Sequence, residues 1–222
     1  MKILSQGRVF ADRREAGFEL GEILKEKYGG KNALVLGIPR GGVVVAYEVA
    51  KALRGELSVV VTKKLPHPQY EEYAIGAVAE DGSVYLTSAA EDVRSEDVRQ
   101  IIRAQEREIT SRINRFRKSE PLPEMRNRIV IITDDGIATG STLVPAIKLC
   151  QHKQAALVVV AAPVSGERYI PDIDGLADEV IIVEQPEEFE AVGQVYEDFH
   201  SLSDKEVLDL LNDFKMKHYY DG

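Results

Sequence analysis

Two adjacent carboxylates and the small residues after them have the side chains and spacing for ligand chemistry. Asp134 and Asp135 follow the apolar run Ile129–Thr133, and residues 136–142 lead from them into a predicted helix. A strand, a glycine-containing loop and a helix N-terminus together present free backbone N–H groups to a phosphate. Carboxylates repel phosphate, so we expect the pair to bind another part of the same ligand. Sugar hydroxyls, contacted directly or through a hard cation, are the natural candidates.

A second loop of this kind lies near the start of the chain. Pro39, Arg40, Gly41 and Gly42 connect a predicted strand at 33–38 to a predicted helix. Glycine allows close approach of the backbone to a ligand, and the arginine fork matches two phosphate oxygens at once. Glycine pairs are also common in ordinary strand-to-helix turns, so the segment by itself leaves both interpretations open.

Two lysines follow the next predicted strand, at 57–62. Lys63 and Lys64 open the proline-containing segment 63–73, which we expect to be a mobile loop. Basic side chains there either bind an anion or solubilise a strand end. His67 and Tyr70 lie in the same segment, and the histidines of the chain are too scattered to predict a metal cluster.

The elements that position these loops alternate between strand and helix, which predicts an α/β fold with a mostly parallel central sheet flanked by helices. Asp12 with Glu15, and Ser203 with Glu206, have the capping-box spacing of helix starts. Further predicted elements are, in chain order, a helix at 43–53, a hairpin at 74–79 and 83–86, an amphipathic helix at 95–118, and strands at 155–162 and 179–183.

Composition narrows the class of protein. The chain has 222 residues and a formal net charge of −9, with no basic tail, which disfavours a nucleic-acid-binding protein. One cysteine, Cys150, excludes an internal disulfide. No apolar run approaches the roughly 20 residues of a membrane span, and the first residues lack the apolar core of a signal peptide. We therefore expect a cytoplasmic protein without membrane contact.

Residues 129–142 resemble the phosphoribosyl-pyrophosphate (PRPP) signature of type I phosphoribosyltransferases. That signature is an apolar strand, two acidic residues, a short spacer, Thr-Gly and a Ser or Thr two residues on, positions held here by Asp134, Asp135, Thr139, Gly140 and Thr142. Residues 10–17, 72–80 and 189–199 are similar to a bacterial and archaeal branch of phosphoribosyltransferase-like proteins, so the resemblance covers nearly the whole chain. It implies one domain over 1–222, with a core at about 30–162, a small hood at about 163–222 and a flexible active-site loop.

The resemblance also implies roles for individual residues. The implied 5′-phosphate loop consists of Gly136, Ile137, Ala138, Thr139, Gly140, Ser141 and Thr142. The implied pyrophosphate loop consists of Pro39, Arg40, Gly41 and Gly42. The implied catalytic residues are Asp134, Asp135, Arg40, Lys63 and Lys64. Mg²⁺ is the implied cofactor, held mainly through substrate and water, with the two aspartates as candidate direct ligands.

The resemblance implies transfer of the phosphoribosyl group from PRPP to a nitrogen acceptor, expected to be a nucleobase, with Mg²⁺-assisted release of pyrophosphate. The residue before Thr-Gly is Ala138, where the 6-oxopurine branch has an Asp. This disfavours a hypoxanthine or guanine enzyme of the usual design and does not choose between adenine-type and uracil-type relatives. We expect the acceptor pocket in the hood, at 163–178 and 189–196. The alternative is a regulator that binds PRPP or a nucleotide without catalysis, and a homodimer is compatible with either function.

Overall fold

The computed structural model describes residues 2–5, 7–70, 72–166 and 172–220. The strands are β1 (Lys2–Ser5), β2 (Leu34–Gly37), β3 (Glu56–Val59), β4 (Thr62–Pro66), β5 (Ala74–Ala79), β6 (Val84–Leu86), β7 (Ile129–Thr133), β8 (Leu157–Val164) and β9 (Glu179–Glu184). The α-helices are α1 (Arg13–Tyr28), α2 (Gly41–Leu53), α3 (Ser95–Arg117), α4 (Leu143–His152), α5 (Asp172–Leu176) and α6 (Asp204–Tyr220). Two 3₁₀ turns lie at Ser88–Ala90 and Val192–Val195.

The central sheet has six strands in the order β1-β9-β8-β7-β2-β3, and each adjacent pair is parallel. This confirms the predicted α/β fold with a central parallel sheet flanked by helices. β1 was not predicted, because a four-residue strand gives too short a pattern to recognise. In a parallel sheet all carboxyl ends lie at one edge, so the loops after β2 and β7 meet there.

Apolar side chains cover both faces of this sheet. Along β7, Ile131 packs into the layer formed with α1, α2 and α6, whereas Val130 and Ile132 pack into the opposite layer with α4. This alternation follows from the two-residue period of a strand, and burial on both faces explains why β7 is a continuous apolar run. The signature loop after β7 therefore begins from a fully enclosed strand.

The expectation of a loop at 63–73 is wrong in its first part. Lys63 and Lys64 lie inside β4, which pairs antiparallel with β5 in a separate sheet of order β4-β5-β6. β4 is an edge strand, and Pro66 lies at its end, where the register shifts. Proline is tolerated in edge strands and at such irregularities, because the backbone N–H that it lacks is not needed there. The connecting loop is limited to residues 67–73, and its mobility stays a prediction.

Other predicted elements are confirmed with small shifts at their ends. The hairpin is β5–β6, and the long amphipathic helix is α3, which covers the small sheet through buried residues such as Ile109. The Asp12 side chain caps α1 by accepting hydrogen bonds from the backbone N–H groups of Arg14 and Glu15. Within the described residues, none of the helices combines the length and apolar composition that a membrane span requires.

Candidate active site

A cleft of about 570 Å³ opens where the carboxyl ends of β2 and β7 face the small sheet and α3. It is lined by predicted site residues from three distant segments, namely Pro39, Arg40, Gly41, Lys63, Lys64, Asp134, Asp135 and Thr142. A smaller cavity of about 110 Å³ adjoins it and is lined by the loop at 136–142. Lys64, Asp134 and Thr142 line both cavities, so the two are parts of one site.

The smaller cavity has the backbone geometry of an anion site. Thr142 is the N-cap of α4, so the loop ends at a helix N-terminus that points into the cavity. The backbone N–H groups of Ala138, Thr139, Gly140 and Thr142 donate to no other described group. Unpaired N–H groups together with a helix dipole are the usual environment of a bound phosphate.

Gly140 is required by the shape of this loop. Its φ is +77°, a conformation that side-chain-bearing residues rarely adopt. A Cβ atom at this position would also lie 2.3 Å from the Ile173 Cδ1 atom. Both the backbone conformation and the contact with α5 therefore favour glycine in the Thr-Gly pair.

Asp134 is a half-buried carboxylate with no ion-pair partner among the described residues. Its Oδ1 accepts a 2.9 Å hydrogen bond from the backbone N–H of Asp135. Burial, and secondly the negative charge of Asp135, raise the pKa of the Asp134 carboxyl well above its usual range, while the charge of Lys64 lowers it. A group in this position has a strong electrostatic preference for a cationic or hydrogen-bond-donating ligand.

Asp135 is held by a buried arginine that sequence reasoning did not select. The Arg13 Nε atom donates a 2.7 Å hydrogen bond to Asp135 Oδ2, and the Arg13 side chain is only 9% exposed. Arg13 Nη1 donates to the His200 carbonyl at 3.1 Å, and its guanidinium lies 3.8 Å from the Phe199 ring centroid. The Tyr196 hydroxyl donates a 2.6 Å hydrogen bond to the Asp135 carbonyl. Helix α1 and residues 196–200 therefore fix the second acid of the signature.

The loop after β2 packs directly against these acids. A Cβ atom on Gly41 would lie 1.8 Å from Asp135 Oδ2, and one on Gly42 would lie 2.8 Å from the Asp134 Cα. The Thr133 hydroxyl donates to the Gly42 carbonyl at 3.1 Å. Glycine at both positions is thus needed for close packing of the two loops, whatever their ligand.

A basic wall lies across the cleft from the acids. Lys63 is half-buried, and its pKa is lowered by burial and secondly by the charge of Arg112, with Glu108 opposing the shift. Arg40 is exposed and approaches a carboxylate oxygen of Asp204 only at 3.9 Å. The cleft therefore contains both carboxylates and cations, which suits a ligand with both hydroxyl and anionic groups.

The family model of the phosphoribosyl transferase domain matches residues 13–200 of this chain. The chain belongs to the phosphoribosyl transferase domain family. The relative Rv0571c of Mycobacterium tuberculosis (strain ATCC 25618 / H37Rv), provisionally named a phosphoribosyl transferase, is 39% identical over 215 residues. The match covers 92% of this chain and 47% of that protein, so the chain spans about half the length of the curated relatives it matches.

Solved structures agree with this family assignment. The crystal structure of TT1426 from Thermus thermophilus is similar with a TM-score of 0.79 and 36% identity, covering 94% of this chain and 99% of that one. The AQ2163 protein from Aquifex aeolicus shares the fold with a TM-score of 0.51 at 13% identity, over 82% of this chain and 78% of its own. The resemblance read from the sequence to the type I phosphoribosyltransferases is thereby confirmed.

The fold brings the residues predicted for the site together around two adjoining cavities, with Lys63 and Lys64 contributed by β4 of the small sheet. Residues 136–142 line the smaller cavity, and the other predicted residues line the larger one, except Gly42, which packs beneath the acids. His67 and Tyr70 lie outside both sets of lining residues. Sequence reasoning missed Arg13, Tyr196 and Arg112, whose long-range contacts leave no local pattern.

The acidic pair fits the metal expected for this family. No group of three or more His, Cys, Asp or Glu side chains that could hold a metal ion occurs among the described residues. Mg²⁺ in proteins usually retains several water ligands and is coordinated by one or two carboxylates together with substrate phosphate oxygens. The electrostatic cost of ionising Asp134 beside Asp135 would be relieved by such a cation.

The predicted hood is described only in part. Residues 167–171, inside the predicted segment 163–178, lie outside the described residues. In the second predicted segment, Val192 packs against Gly136, the residue after the acids, where an added Cβ would lie 2.4 Å from Val192 Cγ1. Phe189 packs against Gly166, where an added Cβ would lie 2.7 Å from Phe189 Cδ1. The assignment of the acceptor pocket to the hood stays a prediction.

Proposed function

We propose that this chain transfers the 5-phosphoribosyl group of PRPP to a nitrogen acceptor, a nucleobase, and releases pyrophosphate with the assistance of Mg²⁺. One observation carries the proposal: a glycine-containing loop at 39–42, two lysines at 63–64 and a carboxylate pair with its following loop at 134–142, which are three separate parts of the chain, border a single cleft. PRPP has a 5′-phosphate and a pyrophosphate on either side of its ribose ring. In this proposal the two phosphate groups bind at the two loops, and the ribose binds at the carboxylate pair.

The smaller cavity takes the 5′-phosphate in this proposal, because its free backbone N–H groups and helix N-terminus need no counter-cation to hold an anion. The larger cavity takes the pyrophosphate at Arg40 and Lys63. Lys64 lines both cavities and is placed to attract either anion, whereas Lys63 lines only the larger one. Lys63 is therefore the better candidate for direct pyrophosphate binding.

The two aspartates act on the ribose between these sites. The bond from C1′ to pyrophosphate breaks, the leaving group takes the electron pair, a bond from the acceptor nitrogen to C1′ forms, and the proton of the acceptor N–H passes to water or to the released pyrophosphate. Positive charge develops on the ring, and carboxylates fixed in a partly water-excluded cleft stabilise it without reorganising. Asp134 is unpaired and faces the cleft, whereas Asp135 is preset by Arg13. When bound, Mg²⁺ supplies charge neutralisation of the pyrophosphate leaving group.

The test is pyrophosphate release from PRPP and Mg²⁺ in the presence of a panel of nucleobases. At least one base should support release, and the double variant Asp134→Asn with Asp135→Asn should lower turnover at least about tenfold, because removing preorganised charge raises the barrier. Asp209→Asn, an exposed acid on α6 paired with Lys205, is the matched control and should leave turnover unchanged.

Unchanged turnover in the double variant would sink the assignment of the acids. Tight PRPP binding without release for any base would contradict the transferase and support the PRPP-binding regulator instead.

A further inference from the structure

Helix α3 adds a cation to the cleft that neither loop motif supplies. Arg112 lines the larger cavity together with Pro39, Arg40 and Lys63. Gln105, two helical turns earlier on the same face of α3, lines it as well. The helix and the small sheet beneath it therefore form the wall of the cleft opposite the aspartates.

Arg112 differs from the other arginines of α3. Arg99, Arg115 and Arg117 each pair with a carboxylate, and Arg103 and Arg107 are exposed to solvent. Arg112 is half-buried, and no described carboxylate lies within 4.0 Å of its nitrogen atoms. A partly desolvated guanidinium without a directly paired carboxylate carries a desolvation cost, which an anion bound in the cleft would offset.

A second unpaired cation lies close to it. The charge of Arg112 is one of the causes that lower the pKa of Lys63, which also has no ion-pair partner among the described residues. Two like charges are thus held near each other in a chain whose formal net charge is −9. Glu108, one turn before Arg112 on α3, opposes the lowering of the Lys63 pKa, and Glu72 lines the same cleft, yet neither forms an ion pair with Lys63 or Arg112.

The position of Arg112 is fixed by its own helix. Five residues further along α3, the buried Arg117 pairs with Glu80 and donates to the Val59 carbonyl at 3.3 Å. Ile109, one turn before Arg112, is buried against the small sheet. The guanidinium is thereby presented from a packed element, as a preorganised binding group requires.

We propose that Arg112 is a further substrate-contacting residue that binds the pyrophosphate group together with Arg40 and Lys63. This inference rests on the proposed function. Arg112 lines the larger cavity and not the smaller one, which places it on the side of the Arg40 loop rather than of the 5′-phosphate loop. The planar fork of an arginine binds two phosphate oxygens at once, so it grips a pyrophosphate more firmly than a single point charge.

The experiment is calorimetric titration of the full chain with magnesium pyrophosphate and, separately, with ribose 5-phosphate. Arg112→Gln should weaken pyrophosphate binding at least about tenfold, because a charge-assisted bidentate contact is lost. It should leave ribose 5-phosphate binding unchanged, because Arg112 does not line the smaller cavity proposed for the 5′-phosphate. Arg112→Lys should recover part of the pyrophosphate affinity, because it keeps the charge and loses the fork. Arg107→Gln, an exposed arginine on the same helix, is the matched control and should bind both ligands like the wild type.

Wild-type affinity for pyrophosphate in Arg112→Gln would overturn the inference and leave the proposed function standing. An equal loss in Arg107→Gln and Arg112→Gln would also overturn it, because the effect would then be the overall charge and not a contact. Failure of the wild-type chain to bind pyrophosphate would contradict both the inference and the proposed function. Thermal unfolding of each variant shows that the fold is intact.

Discussion

At the scale of single residues, the two signature acids are chemically alike but are held differently. Asp135 is fixed by Arg13 and by the backbone of the Gly41 loop, whereas Asp134 accepts one backbone hydrogen bond and faces the cleft. Asp134 therefore has free oxygen for a ligand, and Asp135 contributes charge in a preset position. Adjacent residues of the same type thus have separate tasks because their neighbours differ.

The first prediction concerns Arg13. Arg13→Gln should lower the free energy of unfolding by about 1.5–3 kcal/mol, because it leaves a largely buried carboxylate without its charged donor. The neighbouring Arg14→Gln should cost less than about 1 kcal/mol, since the Arg14 side chain is 55% exposed and its partner Glu48 keeps a second ion pair with Lys51. Urea denaturation of both variants measures the difference, and equal losses would contradict a structural role for the Arg13–Asp135 pair.

The second prediction concerns Gly41. Gly41→Ala places a methyl group within 1.8 Å of Asp135 Oδ2, so the carboxylate must move. Turnover should fall about tenfold to hundredfold, because a displacement of about 1 Å in a reacting group has effects of that size. Gly175→Ala is the control, since nothing lies within 4 Å of the added atom, and its turnover should match the wild type. A Gly41→Ala enzyme with full turnover would show that the position of Asp135 is unimportant.

Residue identities in the loops were predictable because their patterns are local. The acids, the Thr-Gly pair and the Arg40 turn are each contiguous in sequence. Arg13 and Tyr196 contact Asp135 from 122 and 61 residues away, and no spacing rule connects residues that far apart. The same reasoning explains why Arg112 was read only as part of a charged helix.

At the scale of elements, residues 196–200 connect the site to α6. The His200 carbonyl accepts from Arg13, while the His200 ring contacts Asp198 at 2.9 Å and Glu206, in the first turn of α6, at 3.4 Å. Hydrogen bonds to Asp198, and secondly to Glu206, raise the pKa of His200 above its ordinary value of 6.5. The His200 imidazole thus joins a loop beside Asp135 to the start of the last helix.

The third prediction follows from the sign of this shift. Because the pKa of His200 is raised on folding, its stabilising contribution is complete below about pH 6.5 and is lost as the pH rises through the folded pKa. The wild type should therefore unfold at a slightly higher temperature than His200→Gln at about pH 5.5, and this advantage should vanish by about pH 8.5. The effect is small because the ring is exposed. A difference that does not change with pH would contradict the assignment.

Among the elements, long periodic segments were predicted correctly and short ones were not. The pattern of α3 extends over 23 residues, and the hairpin β5–β6 has a clear Asp-Gly turn. β4 was mistaken for a loop because the prolines at and after its end mask an edge strand whose Leu65 is fully buried. The pairing that stabilises β4 comes from β5, so its structure depends on contacts beyond its own sequence.

At the scale of the whole molecule, the negative net charge and the basic wall are compatible because the cations are concentrated at one place. Arg40, Lys63, Lys64 and Arg112 line a single cleft, whereas many other basic side chains lie in surface ion pairs. The chain thus attracts anions locally and not over its surface. This favours a small anionic ligand over nucleic acid.

The fourth prediction uses the stability of the whole chain. A nucleoside monophosphate that is the reaction product should stabilise the folded state by mass action. At about 100 times its dissociation constant the gain is about 2.7 kcal/mol, or roughly 5–10 °C in Tm for a chain of this size. The matching nucleoside without phosphate is the control and should shift Tm far less. The monophosphate with the largest shift identifies the base, and absence of any shift across the panel would contradict a site for phosphoribosylated products.

The most direct test of the account is a stoichiometric product measurement with the base identified in that way. The wild-type chain is incubated with PRPP, Mg²⁺ and the labelled base, and pyrophosphate and nucleoside 5′-monophosphate are quantified together. The account predicts one monophosphate for each pyrophosphate, with both lost in the double variant of Asp134 and Asp135. Bound PRPP without either product, or pyrophosphate with ribose 5-phosphate in place of the monophosphate, would contradict it.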